Sequence, residues 1–97
     1  MDRKIPQSVG AVLRDFLEET ALQERMDELK AIEIWPKAVG PGISSLTSRP
    51  TVKNGVMSVG VPNASLRQEL HMNRSRLCAV INEMLGKEII KEIRFRS

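Results

Sequence analysis

Leu46-Thr47-Ser48-Arg49-Pro50-Thr51-Val52-Lys53-Asn54-Gly55-Val56-Met57-Ser58-Val59-Gly60-Val61 is the stretch that decides the fold. Thr and Val, which suit a pleated and half-buried surface, stand on both sides of Asn54-Gly55. Both turn residues tolerate the positive φ that a two-residue hairpin loop requires. Strands are therefore expected at 46–53 and 56–61.

Working upstream, Ser8 followed by Val9, Val12, Leu13, Phe16 and Leu17 reads as an N-cap and an amphipathic helix over 8–19. A second helical pattern, 22–39, carries Leu22, Met26, Leu29, Ile32 and Trp35. Pro36 is expected to bend or restart it, because proline lacks a backbone donor and clashes with the preceding turn. Gly40-Pro41-Gly42 closes this half of the chain. Trp35 is expected to fill the core, the other reading being an exposed protein-binding anchor.

Downstream, Pro62-Asn63 ends the hairpin and caps a long helix over 64–85, with Leu66, Leu70, Leu77, Val80, Ile81 and Met84 on one stripe and Gly86 as terminator. Ile89, Ile93 and Phe95 then alternate with Ile90, Glu92, Arg94 and Arg96, the period of a half-buried strand. The order α-α-β-β-α-β defines an α+β domain whose helices cover one face of a three-stranded sheet. A crossover through the long helix lets the last strand run parallel to a hairpin strand, right-handed by default.

Composition bounds what such a domain does. At 97 residues, 41% apolar and 28% charged, the chain has room for one domain over 1–97 with one core, residues 1–7 being a flexible N-terminus. Only Phe16, Trp35 and Phe95 are aromatic, too few for a platform that stacks several bases. Cys78 is the sole cysteine, which rules out an intramolecular disulfide or thiolate-rich metal site and fits a reducing compartment. Met1-Asp2-Arg3-Lys4-Ile5-Pro6 leads into no apolar signal segment, and no apolar run approaches the roughly 20 residues that span a bilayer. A cytoplasmic protein with no membrane partner is expected.

No catalytic constellation stands out. His71 and Cys78 lie about two turns apart on the same expected helix, too far for a nucleophile and its base. There is no phosphate-binding glycine loop, and Gly55 to Gly60 lies in a hairpin. Glu18, Glu24, Asp27, Glu28 and Glu33 are spread as on a solvated face. No enzyme, cofactor, metal or small-molecule substrate is expected.

Charge is more informative. Residues 1–48 hold 6 Lys/Arg and 8 Asp/Glu, whereas residues 49–97 hold 9 and 4, so the basic character belongs to the second half. Arg67, His71 and Arg74, at i, i+4 and i+7, line one edge of the long helix. Lys87, Lys91, Arg94 and Arg96 follow, with Arg94 and Arg96 on the strand face opposite Ile93 and Phe95. Such a surface neutralises phosphates and makes nucleic-acid affinity fall steeply with salt. A solvated face balanced by Glu69, Glu83, Glu88 and Glu92 is the competing reading. An open sheet edge that accepts a partner protein without nucleic acid is a distinct alternative.

Four segments carry a resemblance. Trp35-Pro36-Lys37-Ala38-Val39-Gly40 resembles W-x-x-[small/aliphatic]-V-G, and Pro50 with Asn54-Gly55-Val56-Met57-Ser58-Val59 resembles a P…(D/N)-G-x-L-x-V hairpin. Ser65-Leu66-Arg67-Gln68-Glu69-Leu70 resembles S-(W/L)-x-x-E-L, and Ile81-Asn82-Glu83-Met84-Leu85-Gly86 before Ile93-Arg94-Phe95 resembles an I-N-x-x-L-G ending. In this order, over about 8–97, they resemble the bacterial DciA-like family. The resemblance implies a K-homology-like domain acting in DNA replication and helicase loading. Single-stranded or structured DNA and a DnaB-type replicative helicase are the implied partners. The G-x-x-G loop with which K-homology domains grip a nucleic-acid backbone is absent. Longer members carry a flexible extension used in helicase work, whereas this sequence ends at Ser97.

Overall fold

A computed structural model describes residues 7–97. Apart from the backbone of Gln7, the segment 1–7 expected to be flexible lies outside the described residues. The elements are α1 (Gln7–Val39), α2 (Pro41–Ser44), β1 (Thr51–Lys53), β2 (Val56–Gly60), α3 (Ala64–Met72), α4 (Arg74–Leu85) and β3 (Glu92–Arg96).

The two helices expected at 8–19 and 22–39 are one helix of 33 residues. Nothing between them breaks the backbone ladder, and the Thr20 hydroxyl is satisfied within the helix by the Phe16 carbonyl at 2.9 Å. Pro36 lies inside α1 and does not restart it. The donor it lacks leaves only the Ile32 carbonyl without its helical partner, close enough to the helix end to be tolerated. The restart comes at Pro41, the first residue of α2, where a missing N–H has no helical partner to lose.

The expected 64–85 helix is broken at Asn73 (φ −102°, ψ 12°) into α3 and α4. Asn73 turns its side chain onto its own backbone, donating from Nδ2 to the Glu69 carbonyl at 2.8 Å. This is the local competition that makes asparagine a poor interior helix residue. The strands are shorter than expected: β1 begins at Thr51, upstream of which only Ser48 still reaches β2, its N–H donating to the Gly60 carbonyl at 2.8 Å, and β2 ends at Gly60. Asn54 (φ 52°) and Gly55 (φ 80°) form the expected turn.

In the sheet β2 is central, antiparallel to β1 and parallel to β3, so the crossover reading holds. α1 and α4 pack on each other and against the sheet. Val52, Met57, Val59 and Ile93 point to the helical side and are buried with Ala31, Ile32, Trp35, Leu70 and Ile81. The Trp35 ring meets Phe95 at a centroid distance of 6.0 Å and donates from Nε1 to Thr47 Oγ1 at 3.1 Å. Trp35 is 1% exposed, so the reading as an exposed anchor is corrected: the side chain is core.

Asn82 clamps the α4–β3 connection. Its Oδ1 accepts from the N–H groups of Ile89 and Ile90 at 3.0 and 2.8 Å, and its Nδ2 donates to the Ile90 carbonyl at 2.8 Å. Ile89 and Ile90 therefore stand outside the ladder, and β3 starts at Glu92 rather than Ile89.

At the point where α1 leaves the body, Asp27 Oδ2 is 2.8 Å from Lys87 Nζ. Asp27 is the one buried charged residue described, and the hydrogen bond from Lys87, with help from Gln23 and Lys30, holds its carboxyl below the ordinary value of 3.8. A carboxyl lowered on folding stabilises the protein above its unfolded pKa and loses that contribution as pH falls through its folded pKa. The melting temperature of the wild type is thus expected to exceed that of Asp27→Asn near neutrality, the gap closing below about pH 4. Parallel melting curves from pH 2 to 7, about the span that brackets a carboxylate, check this.

Candidate nucleic-acid interface

The residues of the sheet that point away from the helices form an open face set by strand register. Thr51, Ser58 and Arg94 lie side by side, Lys53, Val56 and Glu92 form the next row, and Gly60 lies beside Arg96. Thr51, Val56, Ser58 and Gly60 make a floor of small side chains, and Lys53, Arg94 and Arg96 set positive charge around it, with Glu92 among them. A Cβ built on Gly60 would come 2.8 Å from Ser48 Oγ and 3.4 Å from Arg96 Nη1. Glycine thus lets the Arg96 guanidinium lie against the strand backbone.

Arg94 is exposed and reaches the Glu92 carboxylate through Nε and Nη2 at 3.0 and 3.3 Å. That hydrogen bond, and secondarily the charge of Arg74, holds the Glu92 carboxyl below its ordinary range. The pair is solvent-screened and adds little stability, so a phosphate can compete for Arg94. Arg67 is half-buried, with Nη1 donating to the Val61 carbonyl at 2.8 Å. The Val61 N–H in turn donates to the Arg96 carbonyl at 2.6 Å, which ties Arg67 and Arg96 to one crossing point.

The structure sorts the sequence-derived candidates into two groups. Arg67 and Arg96 meet at the Val61 crossing point, Arg94 stands on the open face against Glu92, the charge of Arg74 reaches Glu92, and His71 is exposed on α3. Arg74 opens α4 and donates to the His71 carbonyl at 2.8 Å, so the expected single helical edge is a bent one. Lys87 and Lys91 lie at the other end of β3. Lys87 is engaged by Asp27, and the Lys91 stem packs over Gly55, where it shares a pocket with Glu24, Glu28 and Glu88.

Lys53 and its neighbours Thr51 and Ser58 escaped the sequence reading. The signal was present: a two-residue turn pairs Lys53 with Val56 and Thr51 with Ser58, one step from placing both on the Arg94 face. On the outer side of β1, Leu29, Ile32, Pro50 and Val52 line a groove rimmed by Arg25, Arg49 and Lys53.

Cys78 Sγ donates to the Ile90 carbonyl at 3.0 Å, and burial, with the charge of Glu88, pushes its thiol pKa up. Among the described residues, no group of three or more His, Cys, Asp and Glu could hold a metal ion. Among them too, no helix is long and apolar enough to cross a membrane.

The fold and this face define a small α+β protein with a basic open sheet. Residues 8–95 match the family model described as Dna(CI) antecedent, DciA, and the chain belongs to that family, which is associated with replicative helicase loading. It is 26% identical over 93 residues to a UPF0232 protein of Mycolicibacterium smegmatis, the match covering 96% of this chain and 48% of that protein. A UPF0232 protein of Rhodococcus jostii is 23% identical over 93 residues, 96% of this chain and 50% of that one. The chain spans about half the length of these curated relatives.

Proposed function

We propose that this chain is a cytoplasmic, non-enzymatic nucleic-acid-binding domain that works on DNA alongside a DnaB-type replicative helicase. Arg94, Arg96, Arg67 and Arg74, with His71 beside them and Lys53 across the sheet, meet the phosphates. Lys91 extends the contact at the hairpin end, and Lys87 joins it only on leaving Asp27. The observation that carries this reading is the register that sets Lys53, Arg94 and Arg96 on one open face over Thr51, Ser58 and Gly60. Family membership supports the link to the helicase. With so few aromatic side chains, binding is dominated by phosphate contacts and is weakly sequence-selective.

The test is fluorescence anisotropy against labelled single-stranded and duplex DNA over about 50 to 200 mM salt. The wild type is expected to show a steep negative slope of log affinity on log salt. The triple variant Lys53→Glu, Arg94→Glu, Arg96→Glu should bind about 100-fold more weakly, its slope shallower by about 2 to 3. Lys37→Glu, on α1, should bind as the wild type does. Unchanged affinity and slope in the triple variant would remove the sheet face from the site.

The groove beside β1 favours a second reading, in which an extended segment of a partner protein adds to that edge and nucleic acid plays no part. Absence of DNA binding at the lowest salt would put that reading first.

A further inference from the structure

From Asp27 onward, the face of α1 that carries Ala31 and Trp35 is covered by the sheet and α4. Toward the N-terminus the same face continues as Val9, Leu13, Phe16 and Thr20, spaced by three and four residues in line with Asp27 and Ala31. Val12 and Leu17 flank it. Here it is bare, with Phe16 63% exposed and Leu17 66% exposed. At 1.5 Å per residue, residues 7–23 reach about 25 Å beyond the body. The molecule is accordingly 64 Å long but only 23 by 19 Å across.

A helix of this length is marginal in water when nothing packs on it, and Val9, Gly10, Val12 and Thr20 are weak helix formers. A cover for the stripe supplies the missing stabilisation. Charge selects the cover. The arm carries Asp15, Glu18, Glu19 and Glu24 against Arg14 and Arg25, a balance that repels nucleic acid. Residues 8–14 hold Arg14 and no acid, and they lie at the positive end of the helix dipole. All four acids lie in residues 15–25. An antiparallel second arm therefore sets the acidic part of each copy against the acid-free part of the other. A parallel arm would set acid beside acid.

We propose that this arm joins two copies of the chain in an antiparallel helix pair. Leu13 packs against the second copy's Phe16, Val9 lies opposite the second copy's Thr20, and the two bodies stand at opposite ends. The arrangement is two-fold symmetric and closes on itself, so it stops at a dimer. A face about 25 Å long and 10 Å wide covers roughly 250 Å² per copy, below the size of a stable interface and in the range of weak, transient ones. The dimer is therefore weak and depends on concentration.

Sedimentation of the full chain over roughly 1 to 200 µM, a range suited to an interface of that size, is the first test. The mass is expected to move from monomer to dimer as concentration rises. Leu13→Asp and Phe16→Asp should each raise the dissociation constant at least about tenfold. Leu22→Asp, which removes an equally exposed apolar side chain off the stripe, should leave it unchanged. All three substitutions lie outside the core, and circular dichroism checks that the body stays folded.

Orientation is read by disulfide trapping in a Cys78→Ser background. A mixture of the Val9→Cys and Thr20→Cys chains should form the mixed disulfide in preference to either homodimer. A monomer throughout, a dimer indifferent to Leu13→Asp and Phe16→Asp, or a preference for the Val9→Cys homodisulfide would each overturn the antiparallel pair.

Discussion

Replacing Trp35 with alanine is expected to lower stability by about 3 to 5 kcal/mol, the usual cost of emptying a large aromatic site in a core. The ring is among the largest fully buried side chains, and it joins α1 to the sheet through Phe95. Its Nε1 also holds Thr47, whose hydroxyl in turn donates to the Ser44 carbonyl at 3.1 Å, so the loop between α2 and β1 loses an anchor as well. Set against the roughly 5 to 15 kcal/mol that stabilises a typical domain, this leaves the variant close to unfolded at 25 °C. Urea unfolding followed by far-UV circular dichroism measures it, since the variant has no tryptophan to report. The midpoint should fall sharply with the slope retained. A loss under about 1 kcal/mol would mean that the ring does not hold α1 to the sheet.

Asn82→Ala ranks second, at about 2 to 4 kcal/mol. The loss of bulk is small; the cost comes from the Ile89 and Ile90 amide groups left without an acceptor, because an unpaired buried donor forfeits its hydration. The Ile90 carbonyl keeps the Cys78 thiol as a partner, so it is not orphaned. Asn82→Asp retains an acceptor for both amides and loses only the bond from Nδ2, so it should cost clearly less than Asn82→Ala. Hydrogen exchange at the Ile89 and Ile90 amides reports the mechanism directly: both should exchange faster in Asn82→Ala, and equal protection in the two proteins would assign the lost stability to something other than the clamp.

These two side chains mark the limits of reading the chain as a string. Trp35 was legible as core from its place on an apolar helical stripe. Asn82 was visible only as part of a family-like segment, because its partners lie seven and eight residues ahead and meet it only when β3 folds back beside α4.

Similar contrasts hold elsewhere. The Asn54-Gly55 hairpin and the alternation of Ile93 and Phe95 with Arg94 and Arg96 are local patterns, and they survive in the fold. The break at Asn73 is local too, but asparagine within an apolar stripe at helical spacing carries no sign that its side chain will turn onto Glu69. The continuity of α1 was obscured by a pause in the apolar pattern near Thr20, which a helix crosses at little cost. On the basic surface, period alone put Arg94 and Arg96 together. Lys87 was drawn away by Asp27, some 60 residues earlier, and no spacing rule reports such a pair.

What the sequence determined by itself was the Asn54-Gly55 hairpin, the face that the last strand turns to the core, and the excess of positive charge after residue 48, since all three depend on neighbours a few positions away. Only the tertiary structure decided which basic groups share a surface, that Lys87 is engaged by Asp27, and that the Val9-to-Leu17 stripe lies bare while its continuation from Ala31 is buried. The reason is physical: an apolar or charged face records what a helix can pack against, whereas what it does pack against depends on where distant segments end.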